Sequence, residues 1–198
     1  MKKSNFQLLR MIGIFCAFLT VSYAQEVDYQ ITSINPKNYD ELRVEMEKFQ
    51  GIIENAVAQN LKGTFPILGA PKGSYLEDFG VVFSLEANLY QIRPISPFSP
   101  KPHSRKELDE AYQSLLDRVD VLRKSMLLTI AENGTSLRQL RPTDNLAVIV
   151  HLFNGYTDPS RRYPSQLIIK IKMDSLSQYS QRKITLEQFS EKVHITHF

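Results

Sequence analysis

The sequence contains one histidine and one aspartate that would suit a hydrolytic site. His151 lies in an apolar run, and Asp144 precedes it by seven residues. A histidine oriented by a carboxylate can activate a serine hydroxyl as a nucleophile. The sequence lacks the Gly-x-Ser-x-Gly motif that places such a serine on a sharp turn. A cofactor-independent hydrolase built around His151 and Asp144 is therefore the alternative hypothesis, because a lone strand histidine is more often structural.

A second group of residues has side chains suited to binding. Arg161, Arg162 and Tyr163 are consecutive in a segment rich in Asn, Gly, Asp and Pro. Arginine presents a planar fork of donors to carboxylates and phosphates, and tyrosine offers a flat amphipathic surface. Phe98 lies in another loop, residues 93–102, which holds four prolines. We predict these four residues as partner-binding candidates, although a solvated loop and a stiff connector would explain the two segments more simply.

The remaining chemical groups give no indication of a metal or a cofactor. His194 and His197 would face opposite sides of a strand, and no carboxylate stands at ligand spacing beside them. The sequence also lacks phosphate-binding, dinucleotide-binding, zinc-protease and calcium-loop motifs. We therefore predict no metal site and no cofactor, and an enzymatic activity is not favoured. The favoured hypothesis is a non-catalytic domain that binds a protein or a small ligand.

The first 24 residues have the three-part layout of a secretory signal peptide. Lys2, Lys3 and Arg10 precede an apolar run, Met11–Val21, and small residues follow at positions 22 and 24. The apolar run is about half as long as the roughly 20 residues that span a bilayer. We predict a signal peptide at residues 1–24, a single domain at 25–198, and an exported product of the bacterial periplasm or exterior. No stable membrane span is expected after cleavage.

Charge and cysteine content change when residues 1–24 are set aside. The chain has 24 Lys plus Arg and 21 Asp plus Glu, and the first 24 residues hold three of the basic groups and none of the acidic groups. The remaining chain has 21 of each and is close to neutral, so we predict no nucleic-acid partner. Cys16 is the only cysteine, and the mature chain would therefore contain neither disulfides nor thiol nucleophiles.

Two amphipathic helices and several strands must position these groups. Apolar residues recur at steps of three and four over residues 103–133, and again from Asn38 or Tyr39 to Leu61. Ser104 and Glu107 form a capping-box pattern for the later helix. The strand candidates have alternating or continuous apolar residues. They are residues 26–34, 75–90, 146–153, 167–173 and 193–198.

Specific positions are predicted within and between these elements. In the later helix Tyr112 belongs to the apolar stripe, and Asp109 and Arg118 lie on the remaining surface. Asn133 and Gly134 form a C-cap pair for this helix. Thr185 caps a short helical stretch over residues 185–192, and Gly69 and Pro71 indicate a loop.

These elements predict an α+β fold with a single domain. We expect a mostly antiparallel sheet of about four to five strands, with the two long amphipathic helices packed on one face. Both faces of residues 146–153 are apolar, which favours a central position in the sheet. The apolar faces of this strand and the next coincide only if His151 shares a face with Ile168, Lys170 and Lys172. Gly80 is consistent with a bulge or a close approach of two backbones, although an ordinary surface glycine is the commoner explanation.

Overall fold

A computed structural model describes residues 36–61, 67–89, 103–153 and 161–198. The predicted signal peptide, the predicted strand at residues 26–34 and the candidate Phe98 lie outside these residues. The described chain contains four α-helices, five strands and one short 3₁₀ helix. In chain order they are α1 (Pro36–Asn60), β1 (Ile67–Leu76), β2 (Gly80–Asn88), α2 (Arg105–Asn133), the 3₁₀ helix (Gly134–Ser136), β3 (Asn145–Phe153), β4 (Gln166–Lys172), α3 (Met173–Ser180), α4 (Leu186–Lys192) and β5 (His194–His197).

The sheet confirms the predicted α+β class. The five strands lie in the order β1-β2-β3-β4-β5, so β3 is central as predicted. Only the β2–β3 pair is parallel, and the other three pairs are antiparallel. A parallel pair requires a long crossover, and helix α2 lies in the connection between β2 and β3. The sheet is therefore mostly antiparallel, with one crossover unit at its centre.

Helix α2 begins and buries its apolar stripe as the sequence predicted. Ser104 accepts a hydrogen bond from the backbone N–H of Glu107, whose carboxylate accepts one from the Ser104 N–H. This capping box satisfies two N–H groups that would otherwise lack partners. The stripe residues Leu122 and Met126 are fully buried. Side chains from both long helices and from the sheet belong to one hydrophobic cluster.

Two details of helix α2 differ from the prediction. Arg118, expected on the surface, is 9% exposed, and its Nη2 donates to the Asn88 carbonyl at 3.3 Å. Burial lowers the pKa of Arg118, because desolvation disfavours its charge. At the other end, Gly134 was expected to adopt the left-handed conformation of a C-cap, but its φ is −62°. Glycine suits this position for another reason, since a Cβ there would lie 2.8 Å from Leu176.

The strand predicted over residues 75–90 is confirmed for Gly80–Asn88, but it is not continuous with Tyr75 and Leu76. It is divided by a turn after Leu76, and the chain reverses to form the β1–β2 hairpin. Asp78 has a φ of 62° and Gly80 a φ of 119°, conformations that a continuous strand does not contain. The close backbone approach suggested for Gly80 is confirmed, because an added Cβ would lie 2.7 Å from the backbone nitrogen of Asn145.

The register of the sheet separates a core face from an open face. Val148 lies between Phe83 and Ile169, and all three side chains are fully buried. Ile149 pairs with Ile168 on the other face, and His151 pairs with Gln166 there. Since side chains alternate along a strand, His151 shares this face with Ile168, Lys170 and Lys172, as predicted. Within the residues the structure covers, no helix has the length and apolar character needed to cross a bilayer.

Candidate functional site

Tyr112 connects helix α2 to the segment that precedes β4. It lies in the first half of the helix, and its hydroxyl donates to the Arg162 carbonyl at 3.3 Å. Its ring also meets the ring of Tyr163 edge to face, with centroids 5.3 Å apart. Such pairs stabilise by about 0.5 to 1.5 kcal/mol beyond the burial of their area. Tyr112 therefore holds residues 162 and 163 against the helix.

Arg161 makes a second connection to the same helix. Its Nη2 forms an ion pair with Asp109, and its guanidinium carbon lies 4.7 Å from the centre of the Tyr112 ring. Its side chain is only 18% exposed, so solvent screens this ion pair less than it screens one at the open surface. Asp109 also lies 3.5 Å from the Nε of Arg105. Arg161 therefore makes its contacts within the protein, and these contacts fix its own stretch of chain against helix α2.

A cavity lies between helix α2, the segment 162–164 and the end of β5. Its volume is about 380 Å³, and we call it the cleft. Its walls are mainly apolar side chains of the helix, of the segment and of the last residue. These are Tyr112, Leu116, Val119, Tyr163, Pro164 and Phe198. Its polar side chains are Asp120, Arg123, Arg162 and His197.

The acidic group on the cleft already has two cationic partners. Asp120 lies 2.6 Å from Nη2 of Arg123 and 2.7 Å from Nζ of Lys124. Hydrogen bonds from Lys124 and then Arg123 lower the pKa of Asp120, because they stabilise its charged form. Asp120 is therefore a weak base whose negative charge is balanced locally. It does not oppose the approach of an anion to the cleft as an isolated carboxylate would.

Arg162 differs from its neighbour Arg161. Its side chain is exposed at the edge of the cleft. Its backbone carbonyl accepts from Tyr112, but among the described residues its guanidinium forms no hydrogen bond or ion pair. An exposed guanidinium held beside an apolar cavity retains five N–H donors for a ligand. The predicted Arg161-Arg162-Tyr163 group thus contains one structural arginine and one that is available for binding.

His151 and Asp144 are not brought together. Asp144 immediately precedes β3 and His151 lies near its other end, and seven residues of strand correspond to roughly 23 Å. Asp144 is 3% exposed and accepts from the Arg141 backbone N–H at 2.8 Å and from its side chain at 3.0 Å. Nδ1 of His151 lies 3.3 Å from the amide of Gln166. The proposed pair therefore cannot work as a dyad in this structure.

The terminal histidines lie on opposite faces of β5, as predicted. His197 pairs with Leu167 on the core-facing side and lines the cleft, whereas His194 pairs with Lys170 on the open face. No cluster of three or more metal-ligating side chains occurs in the described part of the chain. Of these two residues, only His197 lies at the cleft.

Most residues of the site were not identified from the sequence, and Tyr112 and Asp109 are two examples. Tyr112 was assigned to the apolar stripe of the helix, and Asp109 to its solvent-facing surface. A tyrosine within such a stripe is an indication in itself, since its hydroxyl needs a polar partner when its ring packs. Asp109 offers no comparable indication, because its partner Arg161 is 52 residues away.

Comparison of the chain with protein-family models, with curated proteins and with solved structures found no match.

Proposed function

We propose that this chain is an exported, non-catalytic binding domain of the bacterial envelope or exterior, and that the cleft holds its ligand. The observation that carries the proposal is a cavity of about 380 Å³ with aromatic walls and an exposed arginine at its edge. Small-molecule sites are typically concave, mostly apolar and equipped with a few polar groups that orient the ligand. The cleft has each of these properties.

The position of the cleft supports binding because its walls are fixed. Tyr112 and Arg161 join the segment to helix α2 by a hydrogen bond, an ion pair and a cation–π contact. The helix in turn is anchored by buried side chains such as Leu115 and Leu122. A site whose walls are already ordered loses less conformational entropy when a ligand binds.

Three of the four polar side chains of the cleft suit binding better than catalysis, the exception being His197. A general base needs a pKa near the working pH, and the pKa of Asp120 is lowered below its ordinary range. The Asp120 carboxylate is also already engaged by its two cationic partners, Arg123 and Lys124. The guanidinium groups of Arg123 and Arg162 present N–H donors and no acceptor, so they act as donors rather than as bases. These groups can orient and retain a ligand without transferring a proton.

The export part of the proposal rests on residues 1–24. A basic start, an apolar run and small residues before Gln25 are typical of a cleaved signal peptide. N-terminal sequencing of protein recovered from outside the cytoplasm should begin at Gln25. A product that retains Met1 through Ala24 would contradict the export proposal and leave the binding proposal to be judged by its own test.

Binding can be tested by nuclear magnetic resonance on ¹⁵N-labelled protein. A mixed library of acidic, basic and neutral aromatic fragments should shift backbone amides of residues 161–165 and of the facing turns of α2. The His151→Ala variant should give the same pattern, because His151 lies on the open face of the sheet. Shifts centred on β3 at His151, or no saturable shifts at the cleft, would contradict the proposed site.

Substitution of the cleft wall provides a second test. Tyr163→Ala removes an aromatic wall that is partly buried against the core and should abolish the cleft shifts. Because this change also removes packing, its folding must be verified by a preserved dispersed spectrum. Tyr179→Ala is a matched control, since Tyr179 is likewise partly buried against the core and does not line the cleft. Equal losses of ligand shifts in the two variants would argue against a role for Tyr163 in binding.

A further inference from the structure

We infer that the ligand of the cleft is a small amphipathic anion, with a flat apolar body and one carboxylate or phosphate group. The inference rests on the proposed binding function and specifies the ligand class. Three independent properties of the cleft lead to it, namely its size, the nature of its walls and the balance of charge around it.

The size of the cleft favours a small molecule over a protein segment. Its volume of about 380 Å³ lies near the lower end of the range for small-ligand sites, about 300 to 1,000 Å³. A specific protein interface buries about 800 Å² on each partner, spread over 20 to 30 residues. The cleft is lined by ten residues from three short stretches of chain, which suits a compact ligand.

The walls favour a flat apolar body. Tyr112 and Tyr163 meet edge to face, so their rings form two sides of a corner. Leu116 and Val119 contribute aliphatic surface one and two helical turns further along α2. Arg161 covers one face of the Tyr112 ring, and Tyr163 and Phe198 offer further aromatic surface to a ligand. Aromatic rings that meet at such a corner can bind a flat ligand through offset-stacked or edge-to-face contacts.

The charge balance favours an anion. Asp109 has Arg105 and Arg161 within ion-pair distance, and Asp120 has Arg123 and Lys124. Each of these carboxylates is therefore shared by two cations, and these four cations outnumber the two carboxylates. Arg162 adds a further cation that has no acidic partner among the described residues. A cationic ligand would not be matched by these groups, whereas an anionic group would.

The position of Arg162 assigns it the role of orienting the anion. Its backbone is fixed by the Tyr112 hydroxyl, while its side chain extends to the edge of the cleft. Arginine binds carboxylate and phosphate through two parallel N–H donors, so it sets direction as well as charge. The ligand would then place its anionic group at Arg162 and its apolar body between Tyr163 and Val119.

The test measures the dissociation constants of matched probes for the wild type and matched variants, by isothermal titration calorimetry or by NMR titration. The probes are 3-phenylpropionate, 2-phenylethyl phosphate, 3-phenylpropanamide and propionate. We expect at least one of the two aromatic anions to bind tenfold more tightly than the amide and than propionate. Arg162→Ala should reduce that preference over the amide to less than threefold, and Arg162→Lys should retain part of it. Arg43→Ala removes another exposed arginine, from helix α1, and should change nothing.

The possible results separate this inference from the binding proposal. If the amide binds the cleft as tightly as both aromatic anions, the cleft binds ligands but the anion assignment is wrong. If propionate binds as tightly as 3-phenylpropionate, the inference that the ligand has an apolar body is wrong. If none of the probes shifts cleft resonances and the mixed fragment library also fails, the binding proposal itself is overturned. An equal effect of Arg43→Ala would show that only overall charge matters and would contradict the role of Arg162.

Discussion

Replacing Gly80 by alanine should destabilise the protein more than any other glycine-to-alanine change among those that the structure describes. Gly80 begins β2 with a φ of 119°, a conformation that alanine adopts only with strain. A Cβ at this position would lie 2.7 Å from the backbone nitrogen of Asn145 and closer still to its carbonyl oxygen. Asn145 cannot easily move, because its backbone and side-chain N–H groups both donate to the Phe79 carbonyl, at 2.6 and 3.0 Å.

The expected cost is the sum of two terms. A side chain at positive φ costs about 1 to 2 kcal/mol. Forcing a methyl group against backbone that cannot relax costs typically about 1 to 3 kcal/mol more. The free energy of unfolding should thus fall by about 2 to 5 kcal/mol, out of roughly 5 to 15 kcal/mol for a domain. In a chain of this size the melting temperature would drop by about 4 to 20 °C.

Chemical denaturation followed by circular dichroism measures this loss directly. Gly51→Ala is the matched control, because a Cβ at Gly51 meets nothing within 4 Å and the residue lies inside helix α1. Alanine should stabilise that helix by about 0.5 to 1 kcal/mol. The two glycines should therefore respond in opposite directions. A Gly80→Ala variant within about 0.5 kcal/mol of the wild type would refute the argument from backbone approach.

Three further predictions concern helix α2 and use the same denaturation assay. Leu122→Ala should cost about 2 to 5 kcal/mol because Leu122 is fully buried, whereas the exposed Asp117→Ala should cost less than about 1 kcal/mol. Ser104→Ala should cost about 0.5 to 2 kcal/mol through loss of the N-cap, and Ser104→Asp should recover most of it. Asp120 has a lowered pKa in the folded state, so its stabilisation is complete above its unfolded pKa and is lost as pH falls through the folded value. The stability difference between wild type and Asp120→Asn should accordingly shrink on acidification, and a difference that grows would contradict the assigned ion pairs.

The sequence determined the elements whose formation depends on near neighbours. The stripe of helix α2 and its capping box at Ser104 follow from steps of three and four residues. The helix capped by Thr185 and the edge strand His194–His197 were likewise predicted. The face shared by His151 and Lys170 followed from alternation along two strands. Periodicity and capping act over a few residues, so one sequence suffices to predict them.

The hairpin before helix α2 needed the tertiary structure. Alternating apolar residues from Tyr75 onward predicted one long strand, but the chain turns at Asp78. Residues Gly69 and Pro71, assigned to a loop, belong to the edge strand β1, whose register is irregular there. An edge strand tolerates proline and irregular pairing because one of its sides forms no backbone hydrogen bonds with a neighbouring strand. Periodicity alone does not distinguish a long strand from two strands joined by a tight turn.

The candidate site was determined partly by residue type and partly by the fold. The sequence identified Arg161, Arg162 and Tyr163 from their chemistry, but it gave the two arginines the same role. Only the folded chain brings Asp109 to Arg161 across 52 residues, which makes one arginine structural and leaves Arg162 at the cleft. It also holds His151 far from Asp144, because a strand is extended. Chemical type is a local property of the sequence, whereas the partner of each charge depends on contacts between distant segments.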